Sequence, residues 1–345
     1  MSTLARHCVL IEKLGLIDAI FETLPGSWQQ YFVDANEEDK QSSKTFGEFG
    51  EVVLVKDKRN GADYALKLFK KELKLAEKQR IALLLHFSRN VDKKTWPSSL
   101  VRYEDAYEFT NPPQKALLME RIDGISLQTL IREGRATVPE EQWKCWMKDI
   151  LLALQYFHKN GITHRDVHPG NIMIRNDGKS AVLIDLDLMC IPATSEQCGT
   201  LCFSPALANS TSPDLWCLSD VVAASSEPKK WYRSDVWATA NSFLSYLNRE
   251  DGYLTKKLPY MRRDQQTCVR MPDALVREKV DKSLLLLQRG ARVLFSKMLD
   301  PDWEKRPSAK SAARVLGRCS DRSSFNLPPP LKTASDNILQ EGVYQ

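Results

Sequence analysis

The stretch His164-Arg165-Asp166-Val167-His168-Pro169-Gly170-Asn171, followed by Ile184-Asp185-Leu186-Asp187, decides the reading of this chain. It places a carboxylate and an amide five residues apart, with a second carboxylate 14 residues beyond Asn171. Oxygen donors of this kind suit a hard divalent cation, and a positioned carboxylate can take a proton from a hydroxyl. The rest of the sequence can test whether the parts that such chemistry needs are present and in order.

The chain has 345 residues, 43% of them hydrophobic, enough to bury a full core in one two-lobed domain or two small ones. The net charge of +5 is mild, and basic residues are interleaved with acidic ones rather than gathered into a run, so no nucleic-acid partner is expected. The N-terminus mixes Arg6, His7, Glu12 and Lys13 among apolar residues and lacks the long apolar core of a signal peptide. No run of ~18 apolar residues occurs, so no membrane span is expected. The eight cysteines contain no CxxC pair and read as reduced thiols in a cytoplasmic compartment. Cys190, Cys198, Cys202 and Cys217 lie near one another in sequence, but without the tight paired spacing of a structural zinc site.

Residues 1–42 read as a separate lead-in, with an apolar periodicity from Val9 through Leu14 and Ile17 to Phe21 that predicts an amphipathic helix ending at Pro25-Gly26. From Phe49 the pattern becomes β. Val52 to Val55 and Asp63 to Phe69 flank Asn60-Gly61 as a hairpin, Glu72 to Phe87 reads as a helix, and Leu100 to Phe109 and Lys115 to Ile122 read as two further strands. After Gly124 the pattern is helical. Glu140 to Asn160 carries Trp143, Trp146, Ile150, Leu151, Leu154 and Phe157 at helical spacing. Further helices are predicted around Ser234–Leu247, Lys282–Leu299 and Ala309–Leu316, with a loose tail after them.

The catalytic stretch resembles the H-R-D-x-x-x-x-N loop of protein kinases, and other family motifs follow in order. Thr45-Phe46-Gly47-Glu48-Phe49-Gly50-Glu51-Val52 resembles the glycine-rich loop, with Gly47 and Gly50 as its second and third glycines and Thr45 in place of the first. Tyr64-Ala65-Leu66-Lys67 is similar to the V-A-I-K strand. Leu117-Leu118-Met119-Glu120-Arg121-Ile122-Asp123-Gly124 resembles the hinge. Tyr232-Arg233-Ser234-Asp235-Val236-Trp237 matches the helix whose Asp contacts the catalytic loop backbone, and Asp300-Pro301-Asp302-Trp303-Glu304-Lys305-Arg306-Pro307-Ser308 resembles the late D-P-x-x-R-P-S motif.

The resemblance implies an α+β, bilobal fold: a small β-rich N-lobe with one main helix over 43–124, a larger helical C-lobe over 125–317, and a flexible tail over 318–345. It implies a kinase that uses ATP and Mg2+ on Ser/Thr hydroxyls of a protein substrate. Asp166 would accept the hydroxyl proton, and Asn171 and Asp185 would hold the metal. Lys67 would reach the phosphates and pair with Glu77, with Glu72 as the competing choice. His168, where Ser/Thr kinases usually carry Lys, could donate to the γ-phosphate. Val52 and Ala65 would floor the adenine, Met119 would be the gatekeeper, Glu120 and Ile122 would offer backbone to the base, and Ser126 would touch ribose.

Several positions depart from the family pattern. Leu186 and Asp187 replace the Phe and Gly of D-F-G, so Leu186 must fill the apolar slot and Asp187 forfeits glycine's freedom. Gly199-Thr200 resembles the Ser/Thr-kinase activation segment, yet Ala206 replaces the Glu that normally pairs with the Arg at position 306, and Asp214 or Asp220 in the long segment 207–231 could substitute. Arg165 fits kinases ordered by phosphorylation, with Thr194 and Ser195 as candidate autophosphorylation sites. Two other readings stand beside the first: a small-molecule kinase of the aminoglycoside or choline type, and a pseudokinase scaffold.

Overall fold

The computed structural model describes residues 20–34, 45–46, 50–89, 91, 95–186, 189, 228–249, 273–285, 287–317, 319 and 322–328. In chain order the N-terminal elements are β1 (Glu22–Leu24), β2 (Phe32–Asp34), β3 (Thr45–Phe46), β4 (Gly50–Asp57), β5 (Asp63–Phe69), α1 (Leu75–Arg89), β6 (Tyr103–Thr110) and β7 (Pro113–Glu120). The C-terminal elements are β8 (Gly124–Ser126), α2 (Leu127–Arg132), α3 (Glu140–Lys159), β9 (Ile172–Arg175), β10 (Ala181–Leu183), α4 (Pro228–Asn248), α5 (Asp273–Ser283), α6 (Arg289–Met298) and α7 (Ala309–Val315). Strands crowd the first half and helices the second, the α+β, two-lobed arrangement expected from the sequence.

The N-lobe sheet runs in the order β1-β6-β7-β5-β4-β2, with β3 also on β4. Its register explains how one sheet serves two purposes. Val52 lies opposite Lys67, and Ala65 opposite Met119. Directly opposed residues and residues two apart share a face, so Val52, Ala65, Lys67 and Met119 all stand on one side. The alternate residues Val53, Val55, Leu66, Leu68, Ala116 and Leu118 form a separate apolar cluster on the other side.

That second cluster shows how the end of the lead-in, expected to dock on the main domain, is attached to it. Leu24 and Phe32 are buried in it, and Trp28 and Tyr31 pack against it. β1 pairs in parallel with β6, and β2 pairs antiparallel with β4, so residues 22–34 contribute a strand to each edge of the sheet. A flat path across five strand spacings would cover roughly 24 Å. The short connection between the two strands contains a 3-10 turn at Trp28–Gln30 and reaches about that far only when otherwise fully extended, so the sheet curls. The reason is burial: the outer face would otherwise expose Phe109, Tyr107 and Leu118, each now at most 3% exposed. The helix expected over the earlier part of the lead-in lies outside the described residues.

The C-lobe is built on α3. Its residues Trp143, Trp146, Ile150, Leu151, Leu154 and Phe157, read from sequence as one apolar face, are all buried. They join the main core with Leu183 of β10, Trp237 and Phe243 of α4, and Ala312 of α7. The small sheet runs in the order β10-β9-β8, with β10 packed against α3. Among the described residues no helix is long and apolar enough to cross a membrane.

Three expectations are corrected. The helix predicted over Lys282–Leu299 is two helices, α5 and α6. The run of leucines between them has no helical alternation; Leu284 turns inward at 1% exposure while Leu285 stays 62% exposed. Arg292 donates to the carbonyls of Leu285 and Leu287 that the break releases (2.8 and 3.1 Å). The tail is not loose throughout: Phe325 is buried and Arg322 binds Asp149. Finally, Cys145 of α3 and Cys319 are joined by a disulfide, so at least this pair departs from the expected reduced thiols. The four cysteines at 190, 198, 202 and 217 lie outside the described residues.

Candidate active site

The catalytic loop hangs from one buried carboxylate. Asp235, on α4 and 1% exposed, accepts the backbone N–H of His164 (3.0 Å) and of Arg165 (2.8 Å) and the hydroxyl of Thr163 (2.8 Å). His158, in the last turn of α3, meets the same Oδ2 that serves Thr163 and His164, through Nε2 at 2.8 Å, and stacks on Tyr232. Burial alone would raise the Asp235 carboxyl, but His158 and the surrounding donors outweigh it and hold the group below the ordinary carboxylate value. A charged acceptor with this many donors fixes backbone geometry more firmly than apolar packing could, because each bond is directional.

His164 is the second tie. Its ring is fully buried, and that burial pushes it below the ordinary histidine value, so it is neutral near pH 7. Nδ1 accepts the Asp166 N–H at 3.2 Å, which leaves the proton on Nε2, 3.2 Å from the carbonyl of Ile184. One imidazole therefore spaces the Asp166 segment from the residue before Asp185. The Tyr103 hydroxyl receives the Leu186 N–H at 3.1 Å, on the other side of Asp185.

Between these ties the backbone takes unusual conformations. Arg165 and Asp185 both have positive φ, 69° and 58°, where side chains other than glycine are disfavoured. Such strain persists only where surrounding bonds over-determine it, and it concentrates at functional sites.

The polar side chains then converge. Asn171 donates through Nδ2 to the Asp166 carbonyl (2.9 Å) and carboxylate (3.0 Å), and its own carbonyl accepts the Ile184 N–H (2.9 Å). Lys67, arriving from the N-lobe on β5 and 7% exposed, forms an ion pair with Asp185 at 3.1 Å. His168 caps the 3-10 turn Pro169–Asn171: its Nδ1 accepts the Gly170 N–H at 3.0 Å, and Nε2 lies 3.6 Å from the Asp166 carboxylate. A side chain at position 170 would meet the His168 ring at 2.7 Å, which accounts for the glycine.

Residues 45–315 match the family model described as the protein kinase domain. The chain belongs to the protein kinase family. Similar proteins include the probable serine/threonine protein kinase IREH1 of Arabidopsis thaliana, 31% identical over 132 residues, which is 38% of this chain and 10% of that protein. The serine/threonine-protein kinase tricornered of Drosophila melanogaster is 31% identical over 40% of this kinase and 29% of its own length. The serine/threonine-protein kinase cds1 of Schizosaccharomyces pombe is 32% identical over 38% and 28% respectively. The matched segment thus spans a tenth to three tenths of these relatives.

Most site residues named from the kinase motifs lie on the elements expected. Val52, Ala65 and Met119 share the cleft-facing side of the sheet with Lys67. Gly50 sits where β4 crosses β5 so closely that a Cβ would come within 2.4 Å of the Leu68 carbonyl. Gly47 lies outside the described residues. Glu120 ends β7, and its carboxylate takes a hydrogen bond from Arg175 of β9 (3.0 Å), tying the hinge that contains Ile122 to the C-lobe. Ser126 caps α2, accepting the Thr129 N–H at 3.0 Å. Leu186 fills its apolar slot completely, at 0% exposure.

Glu77 is the correction. Its carboxylate accepts the Lys74 N–H at 2.7 Å, at the start of α1, and among the described contacts it forms no ion pair with Lys67. The reason is local: Glu77 is the third residue of the helix, where a glutamate can reach back to the capping position. Ile81, one turn on, is buried as expected.

Arg306 is 1% exposed and donates to the carbonyls of Asp300 (2.6 Å) and Pro301 (3.2 Å). Arg165 is 4% exposed, with its guanidinium 4.9 Å above the Trp231 ring. Asp187, Thr194, Ser195, Thr200, Ala206, Asp214 and Asp220 lie outside the described residues. Sequence reading gave no role to His158, His164 or Tyr103. His164 alone had a local signal, standing inside the motif; the other two reach the site across 77 and 83 residues of chain.

Proposed function

We propose that this chain is a serine/threonine protein kinase that, with Mg2+, transfers the γ-phosphate of ATP to Ser or Thr hydroxyls of proteins. The observation that carries the reading is the meeting of Lys67 from the N-lobe with Asp185 from the C-lobe at 3.1 Å, next to the Asp166–Asn171 pair. Groups from both lobes close on one point between them, as a phosphate chain bound in a cleft requires.

The residues fit a divalent cation. Asn171 spends its amide nitrogen on Asp166, which leaves Oδ1 as its ligating end, and the Asp185 carboxylate supplies a hard oxygen. A bound Mg2+ would neutralise phosphate charge there. Lys67 is a compact point charge suited to the α- and β-phosphates. Asp166 is held by Asn171 with its carboxylate available to accept the substrate hydroxyl proton. His168, with Nδ1 committed to Gly170, presents Nε2–H as a donor for the γ-phosphate. Val52, Ala65 and Met119 supply an apolar face for adenine. Glu120 and Ile122 supply hinge backbone. The Ser126 hydroxyl, accepting from the helix and 2.9 Å from Thr129 Oγ1, would donate to ribose with Thr129 as the donor of that pair. Ser/Thr rather than Tyr acceptors are supported by Thr200 and by the relatives' names. Arg165 would receive a phosphate on Thr194 or Ser195.

The test is transfer of labelled γ-phosphate from Mg-ATP to a generic basic protein, comparing wild type with Asp185→Ala. Label on Ser or Thr with wild type alone is the expected result, and mass mapping would show whether Thr194 or Ser195 is modified. Transfer to an aminoglycoside or choline but not to protein would favour a small-molecule kinase. ATP binding without any transfer would favour a scaffold.

A further inference from the structure

Residues 322–328 form a strap across the back of the C-lobe. Arg322 makes a two-pronged pair with Asp149 of α3 (2.8 Å on each oxygen) and donates to the Lys179 carbonyl (2.8 Å). Gln142 of α3 donates at once to the carbonyls of Asn326 (2.8 Å) and Gly178 (3.1 Å). Arg135 holds the Pro328 carbonyl (2.9 Å), and Phe325 is buried. At Gly178, where φ is +69°, a Cβ would lie 2.4 Å from the Asn326 backbone, so strap and turn are in direct contact.

The turn gripped in this way joins β9 to β10. β9 begins immediately after Asn171, and β10 ends two residues before Asp185. Whatever holds the strap therefore braces the hairpin whose two ends carry both candidate metal-holding side chains. Three residues before Arg322, the chain is fastened to α3 through Cys319 and Cys145, whose Cα atoms are 5.5 Å apart, inside the ordinary range for a disulfide.

We propose that Cys145 and Cys319 are a redox latch that locks this strap on the β9–β10 turn. The oxidant class is a small-molecule disulfide such as glutathione disulfide. One cysteine thiolate attacks it and releases one glutathione. The second thiolate then displaces the other glutathione from the mixed disulfide, so two thiols become one protein disulfide and one oxidised glutathione becomes two reduced. Cys319 is partly exposed and Cys145 is 4% exposed, so Cys319 is the sulfur that meets the oxidant first.

The test uses the full wild-type chain, equilibrated in reduced or oxidised glutathione, alkylated, digested and mapped by mass. In parallel, hydrogen exchange is followed over 322–328 and 172–183. The expected result is a Cys145–Cys319 linked peptide under oxidation, with exchange in both segments slowed by at least about tenfold relative to the reduced protein. Cys319→Ser should exchange at the reduced rate in either buffer. Alkylation of both cysteines under oxidation, or a different pairing that leaves Cys319 unlinked, would overturn the proposal. So would a linked pair whose exchange matches the reduced protein, because the strap would then hold without its latch. These readouts do not depend on phosphate transfer, so they stand apart from the test of the kinase reading.

Discussion

The two walls of the cleft are held in different ways. The C-lobe wall is a hydrogen-bonded frame: Asp235 and His164 fix the loop carrying Asp166, and Asn171 closes it. The N-lobe wall is a packed sheet, in which Lys67 is placed by strand register alone and its charged end goes to Asp185. Directional bonds fix positions to tenths of an ångström and fail sharply when one partner is removed. Register fixes which face a side chain occupies and leaves a long, flexible lysine able to change partners. The C-lobe wall should therefore be sensitive to single substitutions, and the N-lobe wall tolerant of them except at Lys67 itself.

The sharpest way to break this contrast is at the reacting end of the frame. Asp166→Asn keeps the size and much of the hydrogen bonding but removes the proton acceptor, so transfer should slow by ~10²–10⁴-fold with the fold intact. A loss below about tenfold would mean that proton acceptance contributes little. One step behind the site, Asp235→Ala leaves two backbone N–H groups and a hydroxyl buried without their acceptor. It should cost about 3–5 kcal/mol, read from urea unfolding. A loss under about 1 kcal/mol would show that packing, not the carboxylate, carries the loop.

The His164 tie gives a pH test. Burial depresses the folded-state value of the ring below its unfolded value near 6.5. Unfolding below that pH takes up a proton, so the contribution is present above about 6.5 and is lost as the pH falls. Between pH 7 and pH 5 the wild type should lose stability that His164→Asn does not lose, because only the wild type has this ring to protonate on unfolding. Equal pH dependence in the two proteins would place a charged or solvated ring in the loop.

Much of this was legible in the sequence because the deciding groups are close together in it. The loop from His164 to Asn171, the Asp at 185 and the Lys on a β strand are local patterns, and Ala65 and Lys67, two apart on one strand, share a face by alternation, whereas Val52 joins them only through the register between strands. What the sequence did not show depends on distant pairing. Residues 22–34 lack a long strand pattern; they become strands because a curled sheet offers two open edges and an apolar outer face. The strap at 322–328 reads as a proline-bounded tail, since its partners Asp149, Gln142 and Gly178 lie on α3 and on the β9–β10 turn far upstream. Spacing could not identify Cys145 and Cys319 as partners either, because 174 residues separate them.

Glu77 is where the contrast between the walls can be sharpened most cheaply. The resemblance made it the partner of Lys67, and the structure makes it the side-chain acceptor for the backbone N–H at the start of α1. The two roles predict different losses. A capping glutamate stabilises the start of α1, so Glu77→Gln, which retains an acceptor oxygen, should lower stability by no more than about 0.5–1 kcal/mol. Transfer should then stay within about threefold of wild type, a barrier change of under ~1 kcal/mol. A glutamate needed to hold Lys67 on the phosphates would behave otherwise: stability nearly unchanged, and the rate at saturating ATP down by roughly a hundredfold or more. Measuring both on one variant separates the roles, because the cap acts on the folded state whether or not nucleotide is bound, while the ion pair would matter only during transfer. With the lysine already paired to Asp185 at 3.1 Å, the capping outcome is the one expected.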